Sequence, residues 1–491
     1  MSKRRVRSSF LVFLMLSSVL IALVGPASPV MANNETTSGT ITTSETWSGT
    51  HQLTGDVTVA SGAKLIIQPG TTVIFPNGTY LDVRGNLCAG DMSCGSSGDA
   101  SLANKITLRW TEPSNSSEIG ECKGMKQGSQ EIQVEDASCF EGVLIRSSID
   151  LSETGFRHIT IDDAWGIPYY IDSINRWRYG AMVIDGASPT LTQMSFSNIN
   201  TSSVLTTNLA QPIFEGGTYV AGNDGKSGVG GSAVQIYGSG TQVTPLVMNS
   251  PFFIGTDNGC GNNDGGRPTL WAQETFIEIN DATVNTGDYG FAFVSSSGLL
   301  TNSDINVNCN GVDINGVKAI QGVSYTFEVG YNEINTDEGS GITVYDGGDA
   351  ELHNNQISGV ADRSGITVQS SKVHIHNNDI GPIGGWNGLW LTGSFDVIAE
   401  YNTIIDTAKT PVQVGELSTS GPSPSASRLH FTNNTVSVNT PGTCSSFKYW
   451  GGEYTCPAVS VFRSGVTLYD NEFSLGGDAD GIRAVGGLMD V

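Results

Sequence analysis

The sequence predicts an all-β solenoid, a chain wound into stacked coils, and three observations carry that prediction. A four-residue signature recurs as Gly341-Ile-Thr-Val, Gly365-Ile-Thr-Val, Gly388-Leu-Trp-Leu and Pro411-Val-Gln-Val, at steps of 24, 23 and 23 residues. A second signature recurs inside each step: Leu352-His-Asn-Asn-Gln-Ile357, Ile375-His-Asn-Asn-Asp-Ile380 and Ala399-Glu-Tyr-Asn-Thr-Ile404. Self-similarity at a period of this size marks a stacked repeat. Within each short run apolar and polar residues alternate, and no 3.6-residue period is sustained, so the repeating unit is built of strands.

The alternation assigns directions. Ile342, Val344, Ile366, Val368, Leu389 and Leu391 are expected to face inward, with Thr343, Thr367 and Trp390 outward. One coil has too few apolar side chains for a core. Stacking coils at the inter-strand distance, roughly 4.8 Å, lines those side chains up in ladders and pairs every strand above and below. The recurring Asn332, Asn355, Asn378, Asn402, Asn434 and Asn471 each stand just before an apolar residue, where a turn is expected. Asn tolerates left-handed dihedrals, and stacked Asn side chains can bond along the axis. Their expected role is structural.

These repeats resemble the right-handed parallel β-helix superfamily, the pectin-lyase-like fold, over most of the chain after residue 32. The resemblance implies an all-β, right-handed parallel β-helix with loop insertions at recurring turns. It implies no single activity, because that fold serves lyases, hydrolases, epimerases, phage tailspikes and non-catalytic surface proteins.

From the N-terminus, Lys3-Arg4-Arg5 and Arg7 precede the apolar run Phe10 to Val24, and Val30-Met31-Ala32 offers a small-residue cleavage site. Residues 1–32 therefore read as a secretory signal peptide. Its apolar run is short for a membrane span, and no later segment could cross a bilayer. Residues 33–46 read as a Thr/Ser-rich flexible leader. Residues 47–110 read as N-terminal capping coils, with Trp47 to Val59 and Ala63 to Phe75 alternating between Gly and Pro-Gly turns. This stretch resembles the opening module of secreted or surface β-helix proteins, and capping the stack blunts an aggregation-prone edge. Residues 111–491 read as the helix proper, its middle coils marked by Gly142, Gly180, Ala233, Gly290 and Gly311 at strand starts. The chain stops partway into a coil, so the natural protein is expected to continue or to fray there.

Eight cysteines agree with an oxidising destination. In a solenoid, cysteines near in sequence or one coil apart meet, which predicts Cys88–Cys94, Cys122–Cys139, Cys260–Cys309 and Cys444–Cys456. The spacings lack the paired form of a zinc site. Asn34, Asn77, Asn115, Asn200 and Asn433 sit in glycosylation sequons. The net charge of −24 becomes −28 once the four basic residues of the signal segment are removed. That surface repels nucleic acid, disfavours direct binding of polyuronates and suits divalent cations.

Insertions at residues 162–178, 200–231, 255–275 and 440–456 are expected to pile up on one side and wall a groove. In the polysaccharide enzymes that this pattern resembles, substrate lies along such a groove. The outward row beside it reads Asp313, Thr343, Thr367, Trp390, Gln413, Ser460 and Arg483. Trp390 and Trp386 are candidate stacking platforms for a sugar ring. Trp165, Tyr169, Tyr170 and Trp177 are further substrate-binding candidates in the most aromatic stretch, which also holds Asp162, Asp163, Arg176 and Arg178. Packing a long loop is the competing explanation for that stretch.

Asp337, Glu338 and Asp362 lie in equivalent turns and are candidate Ca²⁺ ligands, with Arg363 able to neutralise them instead. The Asp257–Asp264 loop is a weaker oxygen cluster. Glu338, Asp362 and Arg363 are the catalytic candidates. Asn335-Thr336-Asp337 and Asp162-Asp163 echo polygalacturonase motifs in reversed order, and Gly-His-Gly and Arg-Ile-Lys do not occur. Hydrolysis needs two carboxyl groups flanking one bond, and the outward row supplies only Asp313. His353, His374, His376 and His430 fall at repeat positions and read as structural. The sequence thus points to a secreted or surface protein for glycan binding, adhesion or envelope structure, without catalysis. The alternative is a polysaccharide lyase, hydrolase or epimerase working in the groove.

Overall fold

The computed structural model describes residues 35–111, 141–146, 154–222, 231–256, 260, 267–317, 326–360, 362–394, 396–407, 410–415, 427–438, 457–476, 481–485 and 488–490. These residues form a parallel β-helix with three faces. A representative coil places Ile342–Tyr345 on the first face, Asp349–His353 on the second and Gln356–Ser358 on the third. The next coil repeats this as Ile366–Gln369, Lys372–His376 and Asp379–Ile380. Each strand pairs in parallel with its equivalent one coil away, so Ile342, Ile366, Leu389, Val412, Val459 and Ile482 share one column.

The core is that set of columns. Ile342, Val344, Ile366, Val368 and Leu391 are fully buried, and Leu389 nearly so, as their alternation requires. Further up the stack the interior turns aromatic. Phe196, Tyr219, Phe253, Phe291, Phe293 and Phe327 touch in sequence, with ring centroids 4.3 to 6.3 Å apart. The glycine that opens each signature has a packing reason. A Cβ on Gly341 would lie 2.3 Å from Ile357 Cγ2, and one on Gly388 would lie 2.3 Å from Ile404 Cγ2. The isoleucine of the third face fills the space a side chain would need.

A polar ladder runs down one corner. Asn332, Asn355, Asn378, Asn402 and Asn434 each donate Nδ2–H to the Oδ1 of the next Asn, at 2.9–3.1 Å, ending on Asn471. The same Oδ1 accepts the backbone N–H of the preceding ladder Asn. The left-handed residue of this turn is not the ladder Asn, as the sequence suggested, but the one before it: Tyr331, Asn354, Asn377, Tyr401, Asn433 and Asp470 have φ between 51° and 60°. A second ladder of Ser371, Ser394, Ser427 and Ser464 runs down another corner through backbone N–H to Oγ bonds.

Two further sequence expectations need correction. Residues 33–46 are not a flexible leader throughout: Glu35–Ile41 pairs with Thr50–Val59, and Glu45–Trp47 pairs with Lys64–Ile67. These strands carry Thr and Ser because they cover an end of the stack, where outward positions meet water. Residues 200–231 are not one inserted loop either. Ser202–Thr207, Ile213–Glu215 and Thr218–Val220 make a full coil on the three faces. Its first strand is hydroxyl-rich and lacks the Gly-Ile-x-Val start, which hid it.

Cys88–Cys94 and Cys260–Cys309 form disulfides, with Cα atoms 5.6 and 5.5 Å apart. The signal segment, Cys122–Cys139, Cys444–Cys456, the oxygen cluster of residues 257–264 and the insertion at 440–456 lie outside the described residues in whole or in part. Among the described residues no helix is long and apolar enough to cross a membrane.

Candidate functional site

The outward row of the first face is the site's floor. Register pairing aligns Leu144, Val183, Leu205, Gln235, Trp271, Ala292, Asp313, Thr343, Thr367, Trp390, Gln413, Ser460 and Arg483 in one column. Its chemistry changes along the axis. Leu144, Val183 and Leu205 are apolar because something covers them: an antiparallel hairpin, in which Ile167–Ile171 pairs with the first half of the strand Arg176–Asp185, folds back over the sheet. Ile167 and Ile171 pack there with Tyr237 in a second hydrophobic cluster, separate from the main core. Beyond the hairpin the row turns polar and aromatic.

Where the hairpin ends, a pocket of about 460 Å³ opens, lined by Arg176, Arg178, Gln235, Tyr237, Arg267 and Trp271, among others. Arg178 Nε donates to Tyr237 Oη at 2.7 Å, Tyr237 donates to Gln235 Oε1 at 3.0 Å, and Gln235 Nε2 donates to Ser202 Oγ at 2.6 Å. The Arg178 guanidinium also stands 5.6 Å from the Tyr237 ring centre. This relay fixes one cation over the pocket. Burial, and then the charges of Arg178 and Arg176, pull the Arg267 guanidinium below its ordinary pKa. Three guanidinium groups therefore crowd a pocket whose described lining contains no carboxylate. In a chain with 48 acidic and 24 basic residues, that concentration makes a local anion-attracting site.

Two rungs further along, Asp313 lies half-buried on the floor. Asn310 Nδ2 donates to both of its carboxylate oxygens, at 3.0 and 3.2 Å. Burial pushes its pKa up to about 6, against the pull of hydrogen bonds from Asn310 and Thr343. The phenols of Tyr289 and Tyr345 are raised as well, first by burial and then by Asp313. Further on, Trp390 and Trp386 meet edge to face with centroids 5.9 Å apart, and Arg363 lies over Trp386 at 5.2 Å. Trp271 and Trp390 both hold an indole N–H that has no partner among the described residues.

The predicted row from Asp313 to Arg483 is thus one column, and Trp386 stands beside it against Trp390. The hairpin candidates divide. Trp165 is buried, and Tyr169 is tied to Asp185 Oδ2 by its hydroxyl at 2.5 Å. Tyr170 and Trp177 are 38% and 39% exposed on the hairpin, with ring centroids 5.4 Å apart. Asp337, Glu338, Asp362 and Arg363 are exposed. Among the described residues Arg363 makes no ion pair, and the three acids are not among the groups whose ligand atoms converge. Gln235, Tyr237, Arg267 and Trp271 escaped the sequence reading. The alternation of Thr269-Leu-Trp-Ala-Gln273 was the available signal, obscured by Pro268 at the strand start.

Residues 306–474 match the family model described as "Right handed beta helix region". Among solved structures, the chain is similar to the periplasmic alginate epimerase AlgG, at 12% identity and a TM-score of 0.31, covering 88% of this chain and 78% of that one. It is similar to the Azotobacter vinelandii mannuronan C-5 epimerase AlgE4 A-module, at 12% identity and 0.33, covering 90% and 89%. It is also similar to tailspike protein 3 of bacteriophage CBA120, at 12% and 0.33, covering 89% and 56%. A search of curated proteins returned no match.

Proposed function

We propose that this chain, a right-handed parallel β-helix, is an extracellular or cell-surface protein that holds an extended acidic polysaccharide along its first face without cleaving it. One observation carries the reading: a single in-register column joins an arginine pocket, a polar floor and the tryptophans Trp271 and Trp390. A repeating polymer needs repeated contacts along one axis, and stacked rungs supply them. The guanidinium groups suit a carboxylate or sulfate substituent, because a planar fork of N–H donors matches an anion's oxygens. The Trp390 indole offers an apolar face and an N–H in one group. The disulfides support an oxidising location.

Catalysis on the same polymer is a second reading, favoured by Asp313, whose carboxyl has its pKa pushed up to about 6 and whose charge reaches the phenols of Tyr289 and Tyr345. The test for both is passage of the full secreted chain over immobilised neutral, carboxylated and sulfated polysaccharides, followed by analysis of the sugars. Retention on the acidic polymers with no chemical change supports the binding reading. New reducing or unsaturated ends, or an inverted sugar centre, establish the second. No retention on any polymer removes both.

A further inference from the structure

We propose that the second face carries a transition-metal site, built from Glu351, His374 and His376 and suited to Zn²⁺. The site stands apart from the first-face column and does not depend on the glycan reading. Glu351 and His374 are register partners on adjacent strands, and His376 follows on the same outward side as His374. His376 Nε2 lies 3.0 Å from Glu351 Oε1, and His374 Nδ1 lies 3.7 Å from the same oxygen. One ligand atom from each of the three residues falls within 4.8 Å of the others. Tetrahedral Zn²⁺ with bonds of about 2.0–2.1 Å spaces its ligand atoms by about 3.3 Å, so small side-chain rotations complete the set.

The far side of each imidazole is already held. His374 Nε2 lies 2.9 Å from Glu400 Oε1, and His376 Nδ1 lies 2.9 Å from the Asn377 amide. A metal-bound histidine characteristically donates its other N–H to a carboxylate or carbonyl, which fixes tautomer and ring direction. Glu400 serves His374 in that way. The Asn377 amide, turned over to present its oxygen, serves His376. The His353 ring stacks on His376 with centroids 5.2 Å apart and planes at 11°, limiting its swing. Two imidazole donors select a borderline ion such as Zn²⁺ over Ca²⁺ or Mg²⁺, which take oxygen ligands. Three protein ligands leave a fourth position for water or an external donor. The ion would also tie two successive coils together, because Glu351 belongs to one rung and both histidines to the next.

One rung earlier the fold contains its own control. His353 meets Glu328 at 2.9 Å and Asn354 at 2.9 Å, in the same arrangement as His376 with Glu351 and Asn377. Glu351 there occupies the register position that His374 takes in the next rung, so a second imidazole is missing. Hydrogen bonding alone treats the two rungs alike. Metal binding separates them.

The test is titration of chelator-stripped full chain with Zn²⁺ and, separately, Ca²⁺, read by calorimetry and by the thermal midpoint. The expected result is one Zn²⁺ per chain, a raised midpoint and no response to Ca²⁺. X-ray absorption of the loaded chain should show two imidazole nitrogens on the ion. His374→Gln or His376→Gln should abolish binding, and Glu400→Gln should weaken it about tenfold or more. His353→Gln removes a stacked ring and no donor atom, so it should weaken binding less than Glu400→Gln does. Absence of stoichiometric Zn²⁺ binding by the folded wild-type chain would overturn the proposal. So would binding that survives His374→Gln and His376→Gln in folded variants, or that is lost equally with His353→Gln.

Discussion

Replacing Asn378 by alanine tests whether the asparagine ladder stabilises the stack. Asn378 is fully buried. Its Nδ2 donates to Leu352 O at 2.8 Å, to His376 O at 3.0 Å and to Asn402 Oδ1 at 3.0 Å. Its Oδ1 accepts from the backbone N–H of Asn355 at 3.0 Å and from Asn355 Nδ2 at 2.9 Å. Alanine removes all five bonds. Each buried group stripped of its partner costs about 1–3 kcal/mol, so losing the Asn355 N–H and Leu352 C=O partners alone gives about 2–6 kcal/mol. With an unfolding entropy of about 2.1 cal/mol/K per residue, a chain this long loses about 1 °C per kcal/mol if it melts as one unit. A midpoint drop of about 4 °C is therefore expected. Because each coil contacts only its neighbours, the damage should also appear locally, as faster amide exchange in the flanking rungs. Gln356→Ala, an exposed neighbour on the third face, should stay within about 0.5 kcal/mol. If Asn378→Ala melts with the Gln356→Ala control and exchanges no faster, the ladder reasoning fails.

Other outcomes follow from the first face. Asp313 holds its proton to about pH 6 in the folded chain but releases it near its ordinary 3.8 when unfolded. The folded state therefore binds more protons in that window, and stability from this group is present below pH 4 and lost as pH rises to about 6. The loss is about 3 kcal/mol at most. Asp313→Asn should match wild type at pH 4 and melt up to about 3 °C higher at pH 7; a constant offset across that range would contradict the burial argument. Arg178→Gln removes a charge-assisted donor worth about 1.5–3 kcal/mol, so affinity for acidic polysaccharide should fall about tenfold or more, measured by retention on an acidic column. Trp390→Ala should weaken binding of neutral and acidic chains alike by roughly fivefold, on the scale of about 1 kcal/mol for an aromatic contact. Equal effects of Arg178→Gln on neutral and acidic chains would count against the anion pocket.

The fold was legible wherever side-chain period and stacking coincide. The column from Asp313 to Arg483 could be read from the Gly-Ile-x-Val signatures, because in-register coils leave no freedom once the inward residues are assigned. The Asn ladder was readable for the same reason, although its left-handed neighbour was misplaced by one residue: Tyr331 and Tyr401 hold that conformation without a sequence signal for it. The arginine pocket was not legible. Arg267 meets Arg176 and Arg178 only because a hairpin folds back across several rungs, and no local pattern encodes that return. The Ser202–Thr207 coil was missed because hydroxyl side chains replace the apolar signature there. His374 and His376 stood at repeat positions in the sequence, where they read as structural. What could not be read was that Glu351 pairs across from His374, which places three donors on one side of two strands.

Hydrogen–deuterium exchange of the full chain, with and without a saturating acidic oligosaccharide, tests the central claim most directly. Protection confined to first-face strands from Pro268–Gln273 to Leu389–Thr392, with the hairpin edge at Arg176–Arg178 included, is the predicted result. Protection on the second or third face, or none at saturation, contradicts it.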